Sequence, residues 1–191
     1  MDLWGFCLSK CQRLGDNVRK VNNQTSNGFI GSFPYNIDSK SRVCIPPAFL
    51  DILDTSYKSE HRSLVVFLSL NRSIAVYPVS RYYSFLEDIK KKSILDKNMR
   101  ALLTMIQGTS FIQSLDTQNR LRLNDEVLKY AGIGSKEESG IEEKASRQVY
   151  VKGFDDHMEI WAAEAWDQFI QHTTNKMEEI SDQLSKSLEG K

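Results

Sequence analysis

Short β-rich runs, broken by polar or Pro/Gly/Asn/Asp positions, recur along the chain, and helical spacings of apolar residues fall between them. The runs FPYNI (33–37) and RVCI (42–45) flank a charged stretch, and the apolar spacing of PPAFLDIL (46–53) predicts a short amphipathic helix after them. SLVVFLSLNRSIAVYP (63–78) reads as a hairpin turning at Leu70-Asn71-Arg72, followed by an aromatic-rich helix, SRYYSFLEDIKKK. Ile94, Met99, Leu102, Leu103 and Ile106 give SILDKNMRALLTMIQ helical spacing.

The same order then returns. FIQSL and RLRL flank a second charged stretch; NDEVLKYAGI predicts a helix capped by Asn124 and ended by Gly132. RQVYVKGFDDHMEIWA (147–162) predicts a hairpin turning at Phe154-Asp155-Asp156, and EAWDQFIQHT a closing helix. Asp38 and Arg42 align with Asp116 and Arg120 at an offset of 78, as do Phe33 with Phe111, Ile37 with Leu115 and Ile45 with Leu123. The downstream hairpins align at 84, and GSKEESGIEEKAS (134–146), charged and poor in apolar residues, is the place for the insertion. A strand pair of this size buries too little to be stable alone. Two copies packed together predict one pseudo-symmetric unit, with a first half at 29–107 and a second at 108–170.

The ends differ from this body. Residues 1–28 lack periodicity and close with NNQTSNG, which predicts a loosely ordered polar extension. Phe169, Thr173, Met177, Ile180, Leu184 and Leu188 lay one apolar stripe along a polar helix, so 171–191 reads as an amphipathic extension. That stripe suits packing back on the domain or pairing with another subunit.

Composition is that of an ordinary soluble protein: 191 residues, 40% hydrophobic and 26% charged. No apolar run is long enough to span a bilayer, and MDLWGFCLSKCQRLGD has only a broken apolar run, so neither a membrane span nor a signal peptide is expected. Net charge is zero but unevenly spread. Residues 1–42 carry six Lys/Arg against three Asp/Glu, and residues 155–191 three against nine. Cys7 and Cys11 lack a metal-knuckle spacing, and Cys44, between Val43 and Ile45, reads as a small buried hydrophobe. Arg13, Arg19 and Lys20 read as a polar tail, and Lys90-Lys91-Lys92 as a solvated helix end. His61, His157 and His172 are scattered, with no nucleophile constellation, phosphate-cradling glycine loop or metal-ligand spacing around them; no catalysis and no cofactor is expected.

The two charged stretches are the candidate site. In each, an Asp precedes an Arg by four residues across a tight turn: IDSKSR and LDTQNR. Asp38 and Asp116 suit an Asx-type turn or the orientation of the arginine. Lys40, Arg42 and Arg120 could present cations to phosphates or guanine edges, with Gln118 as a neutral donor. The other reading is that Asp and Arg form cross-strand ion pairs that only brace the turn.

With its D-x-K/Q-x-R stretch in each of two tandem copies, each followed by a hairpin, the chain resembles the MraZ family, bacterial regulators encoded at the division and cell-wall gene cluster. The resemblance covers residues 29–170. It implies an α+β, β-rich fold of two tandem AbrB-like swapped-hairpin barrel halves with short helices. It also implies a closed homo-oligomeric ring, and tips that bind double-stranded DNA at short direct repeats before the family's own operon. It places the protein in the bacterial cytoplasm at the nucleoid, with neither membrane nor small-molecule substrate as partner. The DNA contacts it implies are Lys40, Arg42, Gln118 and Arg120, with Asp38, Ser41, Asp116 and Asn119 shaping the turns. Ser41 and Asn119 stand where the family has glycine. Positive φ suits glycine, is tolerated by asparagine and less so by serine. A degenerate family member that keeps the fold and the ring but acts as a protein-interaction module is the alternative.

Overall fold

The computed structural model describes residues 28–93, 96–134 and 147–177. Most of the predicted extensions at 1–28 and 171–191, namely residues 1–27 and 178–191, therefore lies outside the described residues, as do Cys7, Cys11 and most of the predicted loop at 134–146. In chain order the elements are β1 (Phe29–Asn36), β2 (Arg42–Cys44), α1 (Pro47–Ser56), β3 (Ser63–Leu68), β4 (Ile74–Pro78), α2 (Val79–Ser93) and α3 (Lys97–Thr109). They continue with β5 (Phe111–Ser114), β6 (Arg120–Arg122), α4 (Asp125–Tyr130), β7 (Gln148–Asp155), β8 (Met158–Ala162) and α5 (Ala163–Asn175). A single 3-10 turn at Lys58–Glu60 follows α1.

Local chemistry sets the helix starts. Pro46 and Pro47 open α1, where a missing N–H is no loss. Asp96 caps α3 by accepting from the amides of Asn98 and Met99, and Asn124 caps α4 by accepting from Val127 N at 2.9 Å. Gly132, at φ 70°, ends α4 as its sequence suggests.

The fold is a β-rich mixture of strands and helices. A six-stranded antiparallel sheet runs β1-β7-β8-β4-β3-β5, and β2 pairs with β6 as a separate ribbon. This order is unchanged when each of the first four strands is exchanged with its counterpart four places later. Two expectations are corrected here. The described ladders close no barrel: β1 and β5 are open edges, because the three-residue strands that follow them leave the sheet to pair with one another. Nor do the charged turns end β1–β2 or β5–β6 hairpins, since β1 pairs with β7 and β5 with β3. The hairpin register also shifts by a residue. Leu64 faces Pro78 and Val149 faces Ala162, so β7 corresponds to β3 at an offset of 85 while β8 keeps 84.

One face of the sheet carries the main core, in which Phe29, Leu64, Val66, Val76 and Val151 meet Val43 and Leu121 of the ribbon, Phe49 of α1 and Val127 of α4. On the other face Val65, Phe67, Ala75 and Tyr77 pack beneath Tyr82 and Leu86 of α2 and Ile106 of α3. Beneath α5 that face is less apolar. Trp161 packs with Trp166 and Phe169, Lys152 sits 3.5 Å over the Trp166 ring, and buried Glu159 stands opposite Ala75. Glu159 accepts from Ser73 Oγ at 2.9 Å and Trp161 Nε1 at 2.7 Å. His157 lies 3.7 Å from it, bonds Asp156 at 2.7 Å and stacks on Tyr77. Cys44 is half-buried rather than fully enclosed, because strand alternation along β2 turns its neighbour Val43 into the core and Cys44 to the opposite face.

Candidate functional site

The two charged turns lie side by side because β2 and β6 pair, with Arg42 opposite Arg122 and Cys44 opposite Arg120. Each turn is built the same way. Asp38 N donates to Arg42 O at 2.9 Å and Ser41 N to Asp38 O at 3.0 Å; Asp116 N donates to Arg120 O at 3.0 Å and Asn119 N to Asp116 O at 2.9 Å. The carboxylates complete the turns. Asp38 Oδ1 accepts from Lys40 N at 2.8 Å and Arg42 N at 3.0 Å; Asp116 Oδ1 accepts from Gln118 N at 2.9 Å and Arg120 N at 3.0 Å. Ser41 and Asn119 have φ of 59° and 60°. The left-handed position is thus kept at both turns without glycine, and each residue's carbonyl bonds the residue just past the opposite ribbon strand: Ser41 O accepts from Leu123 N and Asn119 O from Ile45 N, at 2.8 and 3.1 Å.

The second carboxylate oxygens gather the guanidiniums. Arg42 Nε donates to Asp38 Oδ2 at 2.8 Å and its Nη2 lies 2.7 Å away; Arg120 meets Asp116 at the same two distances. Each arginine also reaches the opposite aspartate, Arg42 to Asp116 at 3.5 Å and Arg120 to Asp38 at 3.9 Å. The result is a four-membered, charge-balanced cluster, with the arginine side chains 23% and 21% exposed. Burial raises the pKa of both aspartates, but the bonds from arginine and backbone N–H outweigh it, so both carboxyls titrate below the usual range. Arg120 is held still more firmly protonated by its bond to Asp116.

Among the remaining expected residues, Lys40 and Gln118 are exposed. Lys40 lines two adjoining grooves, of about 510 and 430 Å³, together with Gln113 and Arg122. Gln118 lines neither. Three residues the sequence reading passed over prove structural neighbours of the turns. Arg62 donates to Asp54 of α1 at 2.7 Å and bonds the Asn119 side chain, while its carbonyl accepts from Leu115 N at 3.3 Å. Arg147 donates to Asp38 O at 2.6 Å, and its carbonyl accepts from Ile37 N at 2.9 Å. The third is Arg122, exposed on β6. A signal existed for the first two: they sit at equivalent positions 85 residues apart, immediately before β3 and β7.

A family model described as "MraZ protein, putative antitoxin-like" matches residues 105–187. Over 156 residues the chain is 26% identical to the transcriptional regulator MraZ of Lactiplantibacillus plantarum, covering 82% of this chain and 97% of that protein. It is 25% identical over 157 residues to the one of Finegoldia magna, covering 82% and 96%. The one of Mycobacterium ulcerans is 27% identical over 155 residues, covering 81% and 95%.

Proposed function

We propose that the chain is a member of the MraZ family, on its similarity to MraZ regulators over most of its length, and that it is a non-catalytic, DNA-binding transcription regulator. The carrying observation is that two turns of one design are joined edge to edge by β2 and β6, each holding an arginine in the fork of an aspartate. An arginine gripped on one side by a carboxylate is fixed in direction, and its remaining N–H groups are available to a guanine edge or a phosphate. On this reading Arg42 and Arg120 read the duplex, Lys40 and Gln118 contact its backbone, and Asp38, Ser41, Asp116 and Asn119 set the turn geometry. The exchange-symmetric strand order supports two AbrB-like halves that have traded strands. A single protomer offers few phosphate contacts, so tight binding calls for a homo-oligomer, a closed ring, engaging short direct repeats upstream of its own operon on the nucleoid.

A second reading has one observation in its favour. The four-membered cluster is charge-balanced, which suits a surface that meets protein rather than nucleic acid. Binding of a duplex from upstream of the chain's own gene, against random DNA and at two salt concentrations, separates the two. Specific, salt-sensitive binding lost in Arg42→Ala and Arg120→Ala supports the regulator. A folded, oligomeric protein with no preference for the upstream duplex overturns it in favour of the protein partner.

A further inference from the structure

We propose that Arg122 and Lys40 form one phosphate seat between the two turns, so that this face grips a DNA strand asymmetrically. The inference rests on the DNA-binding reading above. Arg42 and Arg120 are matched by Asp38 and Asp116, whereas Lys40 and Arg122 make no ion pair among the described residues. Both are exposed, and both line the same two grooves. The single carboxylate lining the first groove is Asp125, and the second has Asp116, already engaged by Arg120.

The position of Arg122 sharpens the point. It stands directly across the ribbon from Arg42, where like charges disfavour the pairing. A third charge that disfavours the pairing and has no carboxylate of its own among the described residues is explained by an anion that joins it. The symmetry of the fold makes the seat single. The counterpart of Lys40 is the neutral Gln118, and the counterpart of Arg122 is Cys44. Neither of these restores a cation on the other flank. Lys40 comes from one turn and Arg122 from the strand beyond the other, yet the ribbon brings them to one groove. Gln113 and Ser114 add neutral polar groups to the lining, as a phosphodiester with two free oxygens can use.

The test is fluorescence anisotropy of a labelled upstream duplex across a KCl series, with wild type, Lys40→Gln, Arg122→Gln and Arg122→Lys, each checked by circular dichroism and gel filtration. Losing one phosphate contact lowers the slope of log Kd against log salt by about 0.9 for each protomer engaged. Both glutamine variants should show that loss on specific and random DNA alike, and Arg122→Lys should keep the wild-type slope. Unchanged slopes in folded glutamine variants, with wild type binding normally, overturn the seat and leave the regulator reading standing. Wild type that does not prefer the upstream duplex overturns both. Competition by inorganic phosphate beyond that of chloride at equal ionic strength would assign the seat to free phosphate and overturn the DNA assignment.

Discussion

Replacing Asp38 with Asn separates the two jobs of that carboxylate. The amide oxygen can still accept the N–H groups of Lys40 and Arg42, so the turn keeps its Asx bonds. What disappears is the charge facing Arg42 Nε and Nη2 at 2.8 and 2.7 Å and Arg120 at 3.9 Å. A hydrogen bond to a charged partner contributes about 1.5–3 kcal/mol. Here the aspartate side chain is 32% exposed, and solvent screening lowers the expected loss to about 1–2 kcal/mol. In a chain of this size that is a fall of roughly 2–8 °C in Tm. The folded carboxyl titrates below its ordinary value. Its contribution is therefore present above the unfolded pKa, near 3.9, and lost as pH falls through the lower folded pKa. Urea denaturation of wild type and variant at neutral pH and at successively lower pH should show two stabilities that differ and then converge. The same substitution removes a negative charge from the tip face, so affinity for random DNA should rise while stability falls. A neutral-pH difference below about 0.3 kcal/mol, or one that persists unchanged through acid, would refute the account of the cluster as an ion-paired brace.

Ser41→Gly relieves a left-handed residue at φ 59° but adds freedom to the unfolded chain, so it should change stability by less than about 1 kcal/mol. Ser41→Val should cost about 1–2 kcal/mol, and equal stabilities in thermal melts would count against the strain at this turn. Gly153→Ala places a methyl 2.3 Å from the Phe29 backbone and 2.6 Å from Ile30 N. It should prise β1 from β7 at a cost of about 1–3 kcal/mol or more, and a denaturation midpoint like that of wild type would contradict the pairing. Burial disfavours charge on both His157 and Glu159. Their opposite charges 3.7 Å apart, with Asp156 bonded to the histidine and Ser73 and Trp161 to the glutamate, nevertheless raise the pKa of His157 and lower that of Glu159. The histidine's contribution is full below about pH 6.5 and is lost as pH rises through its raised folded value; the glutamate's is full above about pH 4.3 and is lost on acidification. Stability should therefore be greatest between those limits, and His157→Gln should flatten the alkaline limb of the profile; an unaltered limb in that variant would sink the pairing.

Element types and the repeat were legible because apolar spacing reports which face of a segment is buried, and two copies of one pattern reinforce each other. Asn124, Gly132 and the positive φ of Asn119 could be read from residue chemistry alone. Pairing partners could not. Val151 beside Phe33 and Ile112 beside Val65 satisfy the same alternation as a plain β1–β2 hairpin would, so spacing cannot choose between them. The arginines show the same limit. Arg62 and Arg147 precede strands and look like solvated charges in sequence, but their targets lie 57 and 109 residues away. Arg122 escaped notice because the repeat directs attention to positions that match, and its importance arises from a mismatch with Cys44.

The palindromic strand order also dictates when the protein can fold during synthesis. Outside the β3–β4 and β7–β8 hairpins, every ladder joins one of the first four strands to one of the last four. On the ribosome, β1 has no partner until Gln148–Asp155 has emerged, and β2 waits for Arg120–Arg122. The early chain therefore holds only the β3–β4 hairpin and its helices, with Phe29 and Val43 lacking the neighbours that bury them. Such long-range closure is slow and leaves unpaired edges exposed while it waits. A nascent chain stalled in the 135–146 segment would present those edges to a neighbouring ribosome's product, which carries the missing strands in the same sequence. Assembly between chains is thus an alternative that translation speed, as well as sequence, must hold in check.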